Sequence, residues 1–308
     1  MSIKTGRAEG VAQVTVDHEK CTGCGLCAEV CYGKPLSMEA GRVMIDQSKW
    51  FGCIGCGQCM AVCPQNCIFV DGRCLSPDDI LPIPGKDKRA SYEDLYSLMV
   101  ARRSVRDFRD WEVKQEKIDL IIKAASTAPM GLPPSDVGVT VFKGHNNVQE
   151  FAEDMVKMLD KYWWLRSPLA LACMRPFMGR ETYESMKTFV LPAANLFINE
   201  RQKGSDYLLY DAPLAMYFYA SPYSDPADAF IAATYAMLAG ESVGLGTCMI
   251  GSVGPFLKYN KELCTKYGIP PRSTVGLVVI FGFPKYRYSR SLKRTFAKVH
   301  YFRPERAL

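Results

Sequence analysis

Histidine is scarce in this chain: His18, His145 and His300 are the only three in 308 residues, and they stand far apart. No nucleophile triad is evident around them, so acyl-transfer chemistry has no visible machinery. Nucleotide-binding glycine motifs are missing too. Gly244-Leu245-Gly246 runs on to Met249 where a third glycine would be needed, so there is no G-x-G-x-x-G, and there is no P-loop. A tight nicotinamide site of Rossmann type is therefore not expected. No apolar stretch of about 18 residues is free of charge, so no membrane span is expected. The longest candidate, Ala227 to Ile250, carries Asp228 and Glu241 and reads as a buried helix and loop. Met1-Ser2-Ile3-Lys4 opens no apolar run, which argues against a signal peptide.

Cysteine, in contrast, is abundant. Thirteen cysteines without an export signal point to metal or redox chemistry in a reducing cytoplasm. Eight of them form two copies of one pattern, C-x2-C-x2-C-x3-C: Cys21, Cys24, Cys27 and Cys31, then Cys53, Cys56, Cys59 and Cys63 with Pro64 following. This resembles the bacterial ferredoxins that carry two [4Fe–4S] clusters. In ferredoxins of that type the fourth thiolate comes from the other motif. The resemblance thus implies one cluster on Cys21, Cys24, Cys27 and Cys63, and another on Cys53, Cys56, Cys59 and Cys31. Zinc also binds C-x2-C pairs, but three cysteines at this spacing, twice over, are denser than zinc ribbons use. One departure is that Tyr32, not proline, follows Cys31. Cys67, Cys74, Cys173, Cys248 and Cys264 show no ligand spacing and read as packing residues.

The chain is long enough for two domains, and its 48% hydrophobic and 23% charged content suits a globular protein. Residues 1–75 carry seven Lys/Arg and seven Asp/Glu, so the net charge of +6 lies in the remainder. Two basic clusters stand out, Arg102 to Arg106 and Arg287 to Arg294. A phosphorylated cofactor accounts for them more economically than nucleic acid, which is not expected as a partner.

Residues about 14–75 contain a duplication: Val14-Thr15-Val16-Asp17 precedes the first cysteine motif as Val43-Met44-Ile45-Asp46 precedes the second, and Gly41-Arg42 and Gly72-Arg73 sit in matching turns. So small a segment holds little apolar surface, and metal binding would supply the missing stability. The expected division is a cluster-binding domain over 1–75, a proline-rich linker over 76–90, and a second domain over 91–308. In the second domain Ser91 with Asp94 resembles a capping box. Ile118, Ile121, Ile122 and Ala125 mark one helix face, and Asp225-Pro226 caps a helix to about Ser242. Strands are expected at 137–142, 169–173, 214–220 and 275–281, the last two central because they are almost wholly apolar.

Arg102-Arg103-Ser104-Val105-Arg106-Asp107-Phe108 suits a phosphate, because guanidinium groups grip its oxygens in a fork. It also resembles the opening motif of the FMN-dependent nitroreductase family. Ala128-Pro129-Met130-Gly131, Asp211-Ala212-Pro213, Gly244 to Gly251, and Gly282-Phe283-Pro284 with Arg290 and Arg294 resemble that family's later motifs, in its order. The resemblance implies an α+β fold, a ferredoxin-like domain followed by an FMN-binding α/β sandwich that forms homodimers. It implies phosphate contacts from Arg102, Arg103, Ser104, Arg106, Arg290 and Arg294, with Lys293 competing. Met130 and Gly131 would line the flavin ring, Gly251 and Ser252 would approach its reactive edge, and Ser135 would substitute for the family's asparagine.

The expected function is a cytoplasmic oxidoreductase. Electrons would pass from an external low-potential donor such as ferredoxin through two clusters to FMN, then to a small nitro, enone, quinone or similar acceptor. Two other readings are an electron-transfer protein whose partner performs the chemistry and an iron–sulfur sensor. Tyr162-Trp163-Trp164 would either stack a planar substrate or pack a core or dimer contact, with packing favoured.

Overall fold

A computed structural model describes residues 3–162 and 167–302. The cysteine-rich part contains β1 (Gln13–Val16), α1 (Leu26–Glu29), β2 (Leu36–Glu39), β3 (Arg42–Ile45), α2 (Gln58–Val62) and β4 (Ile68–Asp71). β1 pairs antiparallel with β4, and β2 with β3. The duplication is written into the backbone. Gly23 and Gly25 before α1, and Gly55 and Gly57 before α2, all hold φ between 70° and 80°. That left-handed region suits glycine, so Cys-x-Gly-Cys-Gly-x-Cys builds the same loop twice. Three of the ten buried core residues here are Cys27, Cys53 and Cys59. Apolar burial alone therefore stabilises this part weakly.

Residues 76–90 are mostly exposed, with single turns at Pro77–Asp79 and Lys86–Lys88. Beyond them lie α3 (Tyr92–Ala101), α4 (Gln115–Ala125), β5 (Val137–Lys143), α5 (His145–Lys161), α6 (Pro168–Met174), α7 (Arg180–Ser185) and α8 (Leu191–Gln202). There follow β6 (Leu214–Ala220), α9 (Pro226–Ser242), β7 (Gly246–Ile250), α10 (Val253–Lys258), α11 (Lys261–Lys266) and β8 (Leu277–Gly282). The four strands form one antiparallel sheet in the order β5-β6-β8-β7.

Alternation along the inner strands explains the layers. Leu214, Met216 and Phe218 of β6, with Leu277, Val279 and Phe281 of β8, face Ile118 and Ile121 of α4 and the alanines of α9. Ala215, Tyr217, Val278 and Ile280 face Phe151 and Met155 of α5 and Leu257 of α10. Both faces are thus covered, as the unbroken apolar runs require. The helix ends follow their caps: Ser91 and Asp94 form the capping box of α3, and the Asp225 carboxylate accepts from Ala227 N at 2.8 Å.

Two expectations are corrected. Residues 169–173 lie in helix α6, not in a strand. Ser167 Oγ accepts from Ala170 N at 3.1 Å and Pro168 occupies the first turn, so the Leu-Ala run that follows is capped as a helix. Residues 246–250 form the edge strand β7, not a loop. Gly244, at φ 81°, turns the chain out of α9, and Gly246 begins the strand.

Gly246 pairs with Gly282 across β7 and β8. A Cβ on Gly246 would come within 2.7 Å of Val105 Cγ2, and one on Gly282 within 2.6 Å of Phe108 Cδ1. Two facing glycines therefore make the seat on which residues 105–108 rest. Val105 N donates to Thr247 O at 3.0 Å, and Phe108 bridges to Pro284. Replacing Gly282 by Ala is expected to cost about 1–3 kcal/mol of stability through overpacking, measured by thermal or denaturant unfolding.

Candidate functional site

The two cysteine motifs wall two separate cavities. One is lined by Cys21, Cys24, Cys27 and Cys63, with Val16, Leu26, Val43 and Ile68. The other, of about 260 Å³, is lined by Cys31, Cys53, Cys56 and Cys59, with Val14, Val30 and Leu36. Each cavity takes three cysteines from one motif and the fourth from the other. The exchange happens because Cys31 follows α1 and Cys63 ends α2, and these two helices pack together. Among the described residues no three His, Cys, Asp or Glu side chains form a site for a single metal ion. The thiols instead surround space, and apolar residues make up much of the remaining wall.

Electrostatics point the same way. Burial pushes the Cys59 thiol up to about 12, and Cys53, Cys56 and Cys31 beside it push in the same direction. Burial likewise raises Cys27 and Cys53. These raised thiols hold their protons at neutral pH, so loading a metal would release them. Gln47 steadies the second cavity: its Oε1 accepts from Cys53 N at 2.8 Å and its Nε2 donates to Ala12 O at 2.9 Å. Cys67 had been expected to pack, and it is buried, but its Sγ lies 3.5 Å from that of Cys63 and it lines the first cavity. Sequence spacing alone gave no hint of that contact.

A second constellation forms at the Gly246–Gly282 end of the sheet. The chain after β8 runs back along residues 103–109. Lys285 N donates to Asp107 O at 3.0 Å, Arg103 Nη2 to Arg290 O at 3.4 Å, and Ser291 Oγ to Val100 O at 2.9 Å. Basic residues almost 190 positions apart are thereby collected in one corner. Arg102 is held below the ordinary arginine range first by burial, then by the nearby charges of Arg294 and Arg103, against the opposing carboxylate of Glu241. Its Nη1 is buried without a hydrogen-bond partner among the described residues. A crowded, partly desolvated guanidinium with a free donor is a fitting seat for an anion. Ser104 and Arg106 are exposed beside it, and both adjoin Cys248 of β7. Lys293 is exposed on the same tail. Nothing in the local pattern marks Glu241 for this corner; Cys248, which reads from sequence as a packing residue, is buried.

The remaining expected residues lie elsewhere. Met130 and Gly131 are exposed on the loop before β5, where Gly131 N donates to Asp228 Oδ2 at 3.3 Å. Ser135 is half-buried at the foot of β5. Gly251 and Ser252 follow β7, and a Cβ on Gly251 would enter open space. β5 and β7 are opposite edges of the sheet, about 14 Å apart by ordinary strand spacing. Met130 and Gly131 thus precede one edge strand, and Gly251 and Ser252 follow the opposite one. Of the aromatic triplet, Trp163 and Trp164 lie outside the described residues. Tyr162 lines an apolar cavity of about 240 Å³ with Met158, Met186, Val190, Phe256 and Tyr259.

A three-layer α+β sandwich with a basic corner, preceded by a twofold cysteine module, defines a protein built around redox cofactors. The model of the nitroreductase family matches residues 99–283, and that of a 4Fe-4S dicluster domain matches residues 20–68. The chain belongs to the nitroreductase family, and it is an oxidoreductase of that family. Among solved structures it is similar to a nitroreductase with bound FMN from Bacteroides fragilis, at 18% identity and a TM-score of 0.49, covering 68% of this chain and 98% of that one. It is also similar to a nitroreductase with bound FMN from Desulfitobacterium hafniense, at 21% identity and a TM-score of 0.48, with the same coverage. No curated protein matches the chain. Among the described residues no helix is long and apolar enough to cross a membrane.

If each cavity holds one four-iron cluster, replacing Cys31 by Ala should remove the cluster of the Cys53, Cys56, Cys59 cavity. Anaerobic iron analysis would then fall from about eight to about four per chain.

Proposed function

We propose that the protein is an iron–sulfur flavoprotein. It would take electrons from an external low-potential donor into two [4Fe–4S] clusters and deliver them through FMN to a small organic acceptor. The carrying observation is the buried, unpartnered Nη1 of Arg102 among Arg103 and Arg294, in a chain that also walls two cysteine cavities. When bound, the clusters supply single electrons and the flavin gathers two.

The residues have separate tasks in this reading. Arg102, Arg103, Ser104, Arg106, Arg290 and Arg294 would bind the FMN phosphate and its neighbouring chain, with Lys293 at the rim. Gly251 and Ser252 would offer backbone N–H groups to the ring edge, where the open space at Gly251 permits close approach. Met130, Gly131 and Ser135 would reach a ring from a second copy, because their own corner is a sheet's width away. Exposed apolar side chains support a homodimer: Tyr92, Leu95, Tyr96 and Met99 on α3, and Leu292, Phe296 and Phe302 on the tail. The lining of the 240 Å³ cavity beside Tyr162 contains no charged side chain, which favours a neutral, apolar acceptor. Its wall includes Met186 and Val190 of a π-helical turn, a feature frequent at functional sites.

Anaerobic protein should contain about eight irons, matching sulfide and one FMN per chain. Reduced ferredoxin should then drive turnover in a screen of nitro, enone and quinone acceptors. Colourless or zinc-filled protein would overturn the reading. Arg102→Ala should weaken FMN binding about ten- to a hundredfold, the loss of one charge-assisted hydrogen bond, measured by flavin fluorescence titration.

A further inference from the structure

Arg73 is an arginine that neither the cysteine pattern nor the basic clusters single out. It is only 7% exposed, and its backbone sits at φ 53°, just beyond Gly72 at the end of β4. Its guanidinium makes four hydrogen bonds to described residues, all to neutral backbone carbonyls: Nε to Ile54 O at 3.1 Å, Nη1 to Ile3 O at 2.8 Å and Gly10 O at 2.7 Å, and Nη2 to Pro133 O at 2.9 Å. These bonds orient the charge without cancelling it.

The acceptors belong to three different parts of the molecule. Ile54 lies between Cys53 and Cys56, in the loop that walls the second cavity. Packing is close there: a Cβ on Gly55 would stand 3.3 Å from Arg73 Cβ. Ile3 and Gly10 belong to the N-terminal arm, which continues onto the second part. Gly6 N donates to the Asp136 carboxylate, Arg7 Nη1 donates to Ser135 O at 3.1 Å, and Ser221 Oγ holds the same Asp136 oxygen at 2.8 Å. Pro133 lies in the loop that carries Met130, Gly131 and Ser135. These bonds between the two parts all come from the arm and from Arg73, on the side of the Cys31, Cys53, Cys56, Cys59 cavity. The Cys21, Cys24, Cys27, Cys63 cavity lies at the far end of β1 and β4, beside Val16 and Ile68.

Resting on the iron–sulfur reading above, we infer that Arg73 is a positioning residue with two effects. It raises the reduction potential of the cluster in the second cavity alone, and it ties that cavity's loop to the loop proposed to line the flavin. The sign follows from charge. A one-electron reduction breaks no bond and adds one negative charge to the cluster. An uncancelled guanidinium beside the cavity stabilises the added charge more than the oxidised state. Partial burial limits the screening that water and salt would give an exposed charge. The charge of Arg73 thus improves the cluster of the cavity facing the second part as an electron acceptor and leaves the distant one unaffected.

The test uses the full holoprotein. In wild type, iron and flavin content are measured first; absence of either overturns the underlying reading and this inference with it. With both present, EPR-monitored redox titration should resolve two cluster potentials. Arg73→Gln should shift one of them to more negative values and leave the other in place. Arg73→Lys, which keeps the charge but not the fork, should restore that potential. Hydrogen exchange of residues 130–136 should rise in both variants, because neither can hold Ile54 and Pro133 together. A Cys31→Ala background, lacking the second-cavity cluster, should show no potential shift on adding Arg73→Gln. Two unchanged potentials in Arg73→Gln, or equal shifts of both clusters, would overturn the inference while leaving the proposed function standing. Should Arg73→Gln fail to assemble, Arg73→Lys decides on exchange alone: unchanged protection of 130–136 would refute the tie.

Discussion

Crowded thiols are the constraint on which the N-terminal part depends. Sulfur that must ionise to bind metal is held here among Val14, Leu36, Val43 and Ile68, where ionisation is opposed by burial and by neighbouring cysteines. Few large side chains remain to make a core of the usual kind. The fold of residues 13–71 is in this sense a frame for something positively charged, and its glycines at left-handed φ exist to bend the backbone around it. Crossing Cys31 and Cys63 between the two cavities then makes each half of the repeat a structural requirement of the other.

The second part solves the opposite problem, that of crowded positive charge. Arg102, Arg103 and Arg294 repel one another, and one of them is partly withdrawn from water. The seat that brings them together is made by absence of side chains: Gly246 and Gly282 let residues 105–108 lie flat on the sheet end, and the returning tail closes over them. Membership of the nitroreductase family and the matched dicluster domain agree with a molecule arranged around two kinds of bound cofactor.

Much of this was legible in the sequence, for identifiable reasons. The cysteine spacing reports loop geometry directly, because each C-x-G-C-G-x-C run encodes its own backbone path. β6 and β8 announced themselves as unbroken apolar runs, and α3, α4 and α9 by caps and periodicity. Residues 169–173 misled because a short apolar run does not distinguish strand from helix; the Ser167-Pro168 cap decided it. β7 was hidden by its two flanking glycines, which read as a turn. The spatial separation of Met130 from Gly251 could not be seen at all, since it depends on strand order. The roles of Arg73 and Glu241 were invisible for the same reason: what they do is set by neighbours far away in the chain.

The returning tail has a bearing on biogenesis. Residues 21–63, which wall both cysteine cavities, leave the ribosome before Arg290 and Arg294. Domains fold as units in the order of their synthesis. On the proposed reading, metal delivery to the nascent N-terminal part precedes any capacity to retain flavin, so maturation runs in one direction. A cell short of iron would accumulate chains whose later half is complete but whose arm, Arg73 and linker have no ordered frame to hang on.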